Sequence, residues 1–430
     1  MALTKIITNG ITDDAVTEAK LANAINTAVA ANTAKDLTAL SASNLTSGTI
    51  PDARFPATLP AASGANLTNL PPNRVNRNLM INGAMLVAQR GTSQTGVAAN
   101  GYATVDRWQA TQNGTDAYIE SHQVDVASGT TPYTLGFRKA FQIKNGNQSS
   151  AGSNDHVRMS TFLEGQDIAN SGWNYVSSSS NITLSFWVKS SVAQNFYGFI
   201  RSTDGTMQQY PFETGSLSAD TWTKVTKTIS GNSNLTFDNN TGGAFELWIH
   251  QFAGTDQTAS GVTLNAWAAY SGSAKMPDNT STWYTTDDAT FEITGVQLEA
   301  GSVATDFEHR SFGQELALCQ RYYHVVVDGK YRSGEVPIIS GAMYGSLFYG
   351  VYHFKTEMRA EPTMESVNGT DYYLVYRGGS NDTCDEISVN NVSQLQSTVR
   401  IHNNLSGTSG DAGWARANNA SAFAAFTAEL

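Results

Sequence analysis

The chain has 430 residues and a formal net charge of −11, and only 15% of its residues are charged, against about 25% in an average soluble protein. Ser, Thr, Asn, Ala and Gly replace the missing charges, which is typical of extended β surfaces, and the lack of clustered Lys and Arg argues against a nucleic-acid partner. We expect no membrane insertion, because no stretch reaches the roughly 18 apolar residues of a span, and no secretory signal, because MALTKIITNG has no apolar segment.

Residues 1–36 predict a short helix, which begins in the segment ITDDAVTEAKLANAINTAVAANTA. Thr12 or Asp13 can cap its N-terminus. The residues that follow the 4-3-4 spacing of a heptad seam are Leu21, Ile25, Ala28 and Asn32. Such a helix is marginal alone because its stripe has no later amphipathic helix to meet, so we expect copies of the chain to associate along it. A loosely ordered N-terminal arm is the alternative.

Residues 37–78 lack the helical pattern of residues 1–36. Five prolines interrupt this segment, and its apolar residues lie about five positions apart. The prolines, which block both helices and central strands, are Pro51, Pro56, Pro60, Pro71 and Pro72. This spacing is too sparse for a core of one chain. Three intertwined copies could bury these side chains along a common axis, which predicts a trimeric shaft.

The sequences ITDDAVTEAKL and NLTSGTIPDARFPATLPAASGANLTNLP, within about residues 5–72, resemble the N-terminal and shaft segments of bacteriophage tail-fibre proteins. Within it, SGTIPDARFP is a fairly specific phrase. The resemblance implies a homotrimer whose N-terminal end attaches to a tail, baseplate or adaptor protein.

Residues 79–310 predict a jelly-roll β-sandwich, because short alternating runs are separated by clusters of Gly, Asn, Asp and Ser. The apolar residues expected on the core side of two strands are Ile182, Leu184, Phe186 and Val188, then Phe245, Leu247 and Ile249. Gly295 predicts a β-bulge in ATFEITGVQLEAG. About 230 residues of this kind predict some eight to ten strands.

The sequences NLMINGAMLVAQRG, YATVDRW, ITLSFWVKSS and DDATFEITGVQLEAGSVATDFEHRSFGQELALCQRYY resemble a domain of phage tail and minor structural proteins that is similar to jelly-roll carbohydrate-binding modules. The resemblance implies that NLMINGAM and the strand TDDATFEI lie side by side. Such modules often hold a structural calcium near their joined chain ends. The oxygen ligands that this would imply here are Asp287, Asp288 and Asn82, although no loop has the regular acidic alternation of a calcium loop. We predict no other cofactor.

Residues 311–430 predict a short helix followed by a small antiparallel β domain, which would form the tip of the fibre. FGQELALCQRYY is helical in pattern, with Leu316, Cys319, Gln320 and Tyr323 on one side, and Asp328-Gly329 is a tight-turn signal. This part holds nine of the seventeen tyrosines, and tyrosine is a rigid, amphipathic contact residue. The only two cysteines, Cys319 and Cys384, are expected to be free thiols.

No catalytic residue is predicted. The sequence has no GxSxG, HExxH or GxxxxGK motif, and its seven histidines have no metal-ligand spacing. Carboxylate pairs such as Asp287 with Asp288 and Glu213 with Asp220 do not establish the cleft that a glycosidase needs. The chain also lacks the repeats of a β-helical tailspike.

Sugar binding is the sharper hypothesis, because aromatic rings stack on sugars and polar neighbours bind hydroxyls. The candidate ligand residues on the outer faces of the sandwich strands are Trp187, Tyr197, Arg201, Trp248 and His250. The candidates in the tip are Tyr349, Tyr352 and Tyr372, from a larger tyrosine set that includes Tyr344 and Tyr376. The alternative is that a loop or a neighbouring subunit covers these aromatic residues.

These features together predict a homotrimeric phage tail fibre, a virion component made in the host cytoplasm that attaches to host-surface polysaccharide or another receptor. A purely structural baseplate or accessory tail protein is one alternative. A polysaccharide-degrading tailspike is the other.

Overall fold

The structure is a computed structural model that describes Ile25, Thr27 and residues 76–97, 100–331 and 336–430. The chain forms two compact units, Met1–Leu70 and Pro71–Leu430. In the first unit Ile25 and Thr27 lie in a helix, and Ile25 exposes 50% of its surface. The rest of the predicted N-terminal helix, and the predicted shaft up to residue 75, lie outside the described residues. The trimeric shaft therefore stays a prediction.

The second unit is mostly β and begins with a sandwich of two antiparallel sheets, as predicted. The six-stranded sheet consists, in spatial order, of β1 (Ser93–Val97), β4 (Ile119–Asp125), β5 (Lys139–Lys144), β13 (Thr290–Ala300), β7 (Asn181–Ser190) and β10 (Thr223–Ser230). The seven-stranded sheet consists of β12 (Ala268–Ala269), β9 (Gln208–Ser216), β8 (Asn195–Ser202), β11 (Gly243–Ala253), β6 (His156–Glu164), β3 (Gln109–Asn113) and β2 (Asn100–Gly101). The described residues of the sandwich thus form thirteen strands, more than the eight to ten expected, partly because β2 and β12 have only two residues each.

The core between the two sheets is formed by the alternating residues that the sequence indicates. All seven predicted core residues of β7 and β11 are completely buried: Ile182, Leu184, Phe186, Val188, Phe245, Leu247 and Ile249. Burial of each such side chain contributes about 1.5–3 kcal/mol. Three tryptophans, Trp108, Trp173 and Trp283, are also buried in this core.

Two finer predictions for the sandwich are also confirmed. Gly295 has a φ of +62°, and the β13–β7 register shifts between Thr294 and Gln297, so a bulge is present. The start of the sandwich lies against its end, because Leu79 N–H donates to the carbonyl of Leu298 and Val296 N–H donates to the carbonyl of Gly83, both at 2.9 Å.

The C-terminal part begins with the predicted helix, Phe312–Gln320, which Ser311 caps. A three-stranded sheet follows, with β14 (Tyr323–Asp328), β23 (Phe423–Thr427) and β17 (Thr363–Val367) in spatial order. A seven-stranded sheet contains β19 (Ser380–Cys384), β18 (Tyr373–Arg377), β22 (Ala412–Ala417), β15 (Val336–Tyr344), β16 (Leu347–His353), β21 (Gln396–His402) and β20 (Glu386–Val392). The antiparallel prediction is confirmed, and short helices at Thr131–Thr134 and Gly165–Ala169 complete the described unit.

The C-terminal part contains the tight-turn residues and both cysteines. Gly329 begins a short 3-10 turn, but the turn does not join paired strands, because β14 pairs with β23 rather than with β15. Cys319 and Cys384 are buried free thiols, as predicted. Among the described residues, no helix is long and apolar enough to cross a membrane.

A buried ionic network joins the sandwich to the C-terminal part. Arg107, which is 1% exposed, pairs with Glu429, and its guanidinium lies 3.5 Å from the ring centre of Tyr322. Burial by itself lowers the pKa of Arg107, but Glu429 beside it raises this pKa above its usual range. Nearby, Arg321 donates two hydrogen bonds of 2.8 and 2.9 Å to the buried carboxylate of Glu164.

We predict that Arg107→Met lowers the free energy of unfolding by about 1.5–3 kcal/mol, because Glu429 loses its charged hydrogen bond from Arg107 and keeps only its 3.2 Å ion pair with Arg90. Chemical denaturation measures this change. The matched control is Lys139→Met, which removes an ion pair to Asp125 whose carboxylate is 81% exposed, so its effect should stay below about 1 kcal/mol. Equal effects of the two substitutions would show that the buried pair does not stabilise the fold.

Candidate ligand-binding surfaces

The eight predicted ligand residues lie on separate surfaces of the described unit. Trp187 is on the outer side of the six-stranded sheet of the sandwich. Its ring packs with Trp222 and Phe307 against a small cluster that includes the buried Phe137. Lys189, two residues further along β7, forms a 2.9 Å ion pair with Glu292. Other segments of the chain therefore cover much of Trp187.

Four of the predicted residues meet on the outer side of the seven-stranded sheet of the sandwich. The β8–β11 register pairs Arg201 with Glu246, Phe199 with Trp248 and Tyr197 with His250. Arg201 donates hydrogen bonds of 2.8 and 2.9 Å to Glu246, and the indole N–H of Trp248 donates to the same carboxylate at 2.8 Å. The register thus brings these polar and aromatic side chains into one cluster.

The segment 254–279 covers this cluster. Met276 is buried against Phe199 and Trp248, and Tyr270 packs beside them. Trp248 is therefore only 7% exposed. Trp248 therefore fits the alternative stated in the sequence analysis, in which a loop covers the aromatic residues.

Sequence reasoning missed two basic residues of the cluster. The guanidinium of Arg158, on β6, lies 3.8 Å from the ring centre of Trp248, and the ammonium of Lys275 lies 5.9 Å from it. Burial, followed by the neighbouring positive charges, lowers the pKa of Lys275 to about 8. Burial also lowers the pKa of Arg158 to about 10. Alternation along β6 could have shown that Arg158 faces outward, but only the β6–β11 pairing places it beside Trp248.

His250 lies at the base of the cluster and is 2% exposed. Its ring stacks at 5.7 Å from that of Phe199 and at 6.1 Å from that of Trp248. Neither ring nitrogen has a hydrogen-bond partner within the described ranges. Burial and then the charge of Arg158 lower the pKa of His250 well below its usual value, so the imidazole is neutral.

We predict that His250→Leu stabilises the protein more at pH 5 than at pH 7. The unfolded chain binds a proton at His250 near pH 6.5, whereas the folded chain does not, so the wild type loses up to about 1.4 kcal/mol per pH unit below that value relative to the variant. Urea denaturation at the two pH values measures the difference. Phe186→Leu, in the core between the two sheets, is the non-titrating control, and its effect should be the same at both pH values. A pH-independent effect of His250→Leu would contradict the buried neutral imidazole.

The outer face of the C-terminal seven-stranded sheet carries aromatic residues that are open to solvent. Tyr376 and Trp414 are cross-strand partners with ring centres 5.8 Å apart, and each is 37% exposed. Tyr344 is 74% exposed, and its ring centre lies 6.4 Å from that of Tyr349. The strand register places all four on one side of the sheet. We call Tyr344, Tyr349, Tyr376 and Trp414 the open aromatic face.

Polar groups border the open aromatic face. The guanidinium of Arg416 lies 4.8 Å from the ring centre of Trp414 and donates a 2.8 Å hydrogen bond to Asn381. The row that begins with Tyr376 and Trp414 continues through Ser340 on β15 to Val351 on β16. Four adjacent strands span roughly 15 Å, which gives an elongated surface for a chain-like ligand.

The other two predicted tip residues do not belong to this face. Tyr352 lies on the opposite side of β16, where its hydroxyl hydrogen-bonds with His324 at 2.9 Å and its ring stacks on Phe426. Tyr372 is half-buried against the C-terminal core. Of the three predicted tip residues, the structure therefore places only Tyr349 beside the exposed aromatic rings.

Two of the three residues considered as calcium ligands, Asn82 and Asp288, are held in other contacts, and the side-chain oxygen of Asn82 accepts a 3.0 Å hydrogen bond from Val87 N–H. The side-chain amide of Asn82 donates to the carbonyls of Val87 and Asp106, each at 2.9 Å. Asp288 forms a 2.8 Å ion pair with Lys144. Within the part of the chain that the structure describes, no group of three or more His, Cys, Asp or Glu side chains is placed to hold a metal ion.

No protein-family model matches the chain, and no curated protein matches it. Among solved structures, it is similar to the enzymatically active domain of tailspike protein 4 of bacteriophage CBA120, at 10% identity and a TM-score of 0.29 over 52% of this chain and 22% of that one. It is also similar to the N-terminal cellulose-binding domain of Cellulomonas fimi β-1,4-glucanase C, at 11% identity and a TM-score of 0.24 over 51% of this chain and 99% of that one. A family 11 carbohydrate-binding module from Clostridium thermocellum is similar at 11% identity and a TM-score of 0.23, over 50% of this chain and 97% of that one. Similarities at these scores carry no argument for function.

Proposed function

We propose that the chain is a non-enzymatic attachment protein of a bacteriophage tail, and that it binds polysaccharide of the host surface through the open aromatic face. The N-terminal sequence, which resembles tail-fibre shafts, supports the phage assignment. The observation that carries the binding proposal is the exposed row of Tyr376 and Trp414 beside Arg416.

The chemistry of this face suits a sugar chain. The flat rings of Trp414 and Tyr376 can stack on the apolar faces of pyranose rings, and tyrosine and tryptophan lose little conformational entropy when they bind. Asn381 and Ser340 offer hydrogen-bonding groups to the sugar hydroxyls. The Trp248 cluster is less suited to this contact, because segment 254–279 covers its indole ring.

A homotrimer is the second part of the proposal. Ile25 supports it, because this apolar side chain lies in a helix yet is half exposed. It also occupies the heptad seam of the sequence, where a second copy of the helix could cover it. Three copies would present three open aromatic faces to one cell surface, and avidity would then compensate for weak single sites.

We predict that the double substitution Trp414→Ala and Tyr376→Ala reduces polysaccharide binding at least tenfold, because each lost ring removes about 1.5–3 kcal/mol of buried apolar contact. Binding of the full chain to an array of bacterial surface polysaccharides measures this, and the bound polysaccharide should be recovered at unchanged length. Tyr118→Ala is the control, since Tyr118 is 67% exposed on the sandwich. If the double variant binds as the wild type does, the open aromatic face is not the sugar site, and a contact surface for other virion proteins becomes the better account.

We predict that the full chain sediments at three times its 46.1 kDa mass. Ile25→Lys should shift it toward the monomer, because a charge at the seam cannot be buried between helices without a partner. Asn32→Lys, at a polar position of the same seam, should have the smaller effect. A wild-type monomer at micromolar concentration would contradict the trimer.

A further inference from the structure

We infer that the sandwich carries a second binding site, on the outer side of its seven-stranded sheet, which takes the anionic group of an acidic sugar. The site is the basic cluster, which we define as Arg158, Arg201 and Lys275 around Trp248. It is separate from the open aromatic face, and its sugar assignment rests on the proposed function.

The basic cluster concentrates positive charge around one indole ring. The charged groups of Arg158, Arg201 and Lys275 lie 3.8, 5.0 and 5.9 Å from a Trp248 ring centre. Glu246 neutralises Arg201. Neither Arg158 nor Lys275 forms an ion pair with any carboxylate of residues 76–97, 100–331 and 336–430. The charge of Glu246 also attracts Arg158, but this one carboxylate serves both guanidinium groups, so the cluster keeps a net positive charge in a chain that has 37 acidic and only 26 basic residues.

The contacts of these two cations are with neutral groups. Arg158 lies 2.9 Å from Nε2 of His156, and burial holds the pKa of that imidazole at about 4. Lys275 donates a 2.8 Å hydrogen bond to the side-chain oxygen of Gln257. Neutral partners do not offset the cost of desolvating a charge as a carboxylate does. An incoming anion would supply the missing counter-charge.

Buried polar atoms of the cluster also lack partners. Nε of Arg158 and both ring nitrogens of His250 have no hydrogen-bond partner among the described residues, although all three atoms are buried. A buried polar group without a partner costs about 1–3 kcal/mol. His250 itself is 98% removed from solvent. Native structures rarely keep such groups in one place unless a ligand, ion or water completes them.

An anion can reach the cluster without displacing Trp248. Arg158, Arg201, Lys275 and Tyr270 are each partly exposed, whereas the indole below them is covered. The guanidinium of Arg201 also lies 4.8 Å from the ring centre of Tyr270. The guanidinium of Arg158, and the N–H groups of Arg201 that Glu246 does not use, offer donors to a carboxylate or a phosphate. Tyr270 offers a ring surface to the attached sugar. The shared chemistry of the ligand is thus an anionic saccharide.

The experiment measures binding of the full chain by calorimetry to tetragalacturonate, to its fully methyl-esterified form, and to a phosphorylated mannose oligosaccharide. We expect at least one acidic probe to bind at least tenfold more tightly than the ester. Arg158→Gln and Lys275→Gln should each reduce that affinity at least fivefold. Lys275→Gln alters the covering segment rather than the sheet, so it remains informative if Arg158→Gln fails to fold. The control is Lys224→Gln, an exposed lysine on β10 of the other sheet.

Two further comparisons separate this site from the open aromatic face. The variant with Trp414→Ala and Tyr376→Ala should bind the acidic probes as tightly as the wild type does. If this variant no longer binds the polysaccharide array but still binds an acidic probe in calorimetry, the basic cluster is a site separate from the open aromatic face. Preference for tetragalacturonate would identify a carboxylate sugar, and preference for the phosphorylated probe a phosphate sugar. The inference is overturned if no acidic probe binds, if acid and ester bind equally, or if both cluster variants bind as the wild type does.

Discussion

Arg107 is a fully buried cation, and such a charge is stable inside a protein only beside a carboxylate and further hydrogen bonds. Glu429 supplies the carboxylate from the segment that follows β23, so burial of this arginine in the sandwich depends on the C-terminal part. The rings of Tyr322 and Tyr102 flank the guanidinium. The pair therefore fixes the C-terminal sheets on the sandwich and gives the open aromatic face a defined orientation relative to it.

This arrangement follows from a sequence that has few charges. Backbone hydrogen bonds and alternating apolar residues form the sheets, and several of the few charged side chains are concentrated at contacts between the two parts, as with Arg321 and Glu164. Such buried pairs carry a desolvation cost that offsets much of their attraction, so removing one partner costs more than the net contribution of the pair. The basic cluster differs from these contacts, since Arg158 and Lys275 have no carboxylate of their own.

Alternation along single strands was sufficient to predict much of the fold. It identified the core residues of β7 and β11, and glycine chemistry identified the bulge at Gly295. It also implied which residues face outward, but not what lies over them. Trp187 and Trp248 are equivalent in sequence pattern, yet they lie on different sheets and are covered by different segments. These differences depend on strand order and on segment 254–279, which no local pattern encodes.

The candidate site was predictable to a similar extent. The cluster of Tyr197, Arg201, Trp248 and His250 could be predicted because neighbouring strands carry its members at alternate positions. Tyr349 and Tyr352 were grouped together, although their odd spacing along β16 directs them to opposite faces. Trp414 was missed because it occurs in a segment of small residues, AGWARA, whose strand character depends on pairing with β15 and β18.

The central claim is that the open aromatic face, and not the covered aromatic residues, meets the host polysaccharide. Hydroxyl-radical footprinting of the full chain, with and without a mixture of bacterial surface polysaccharides, tests this claim most directly. The account predicts that oxidation of Tyr344, Tyr376 and Trp414 falls when polysaccharide is present, while oxidation of the exposed Tyr118 stays the same. Unchanged oxidation of the three residues, with protection elsewhere on the chain, would contradict it.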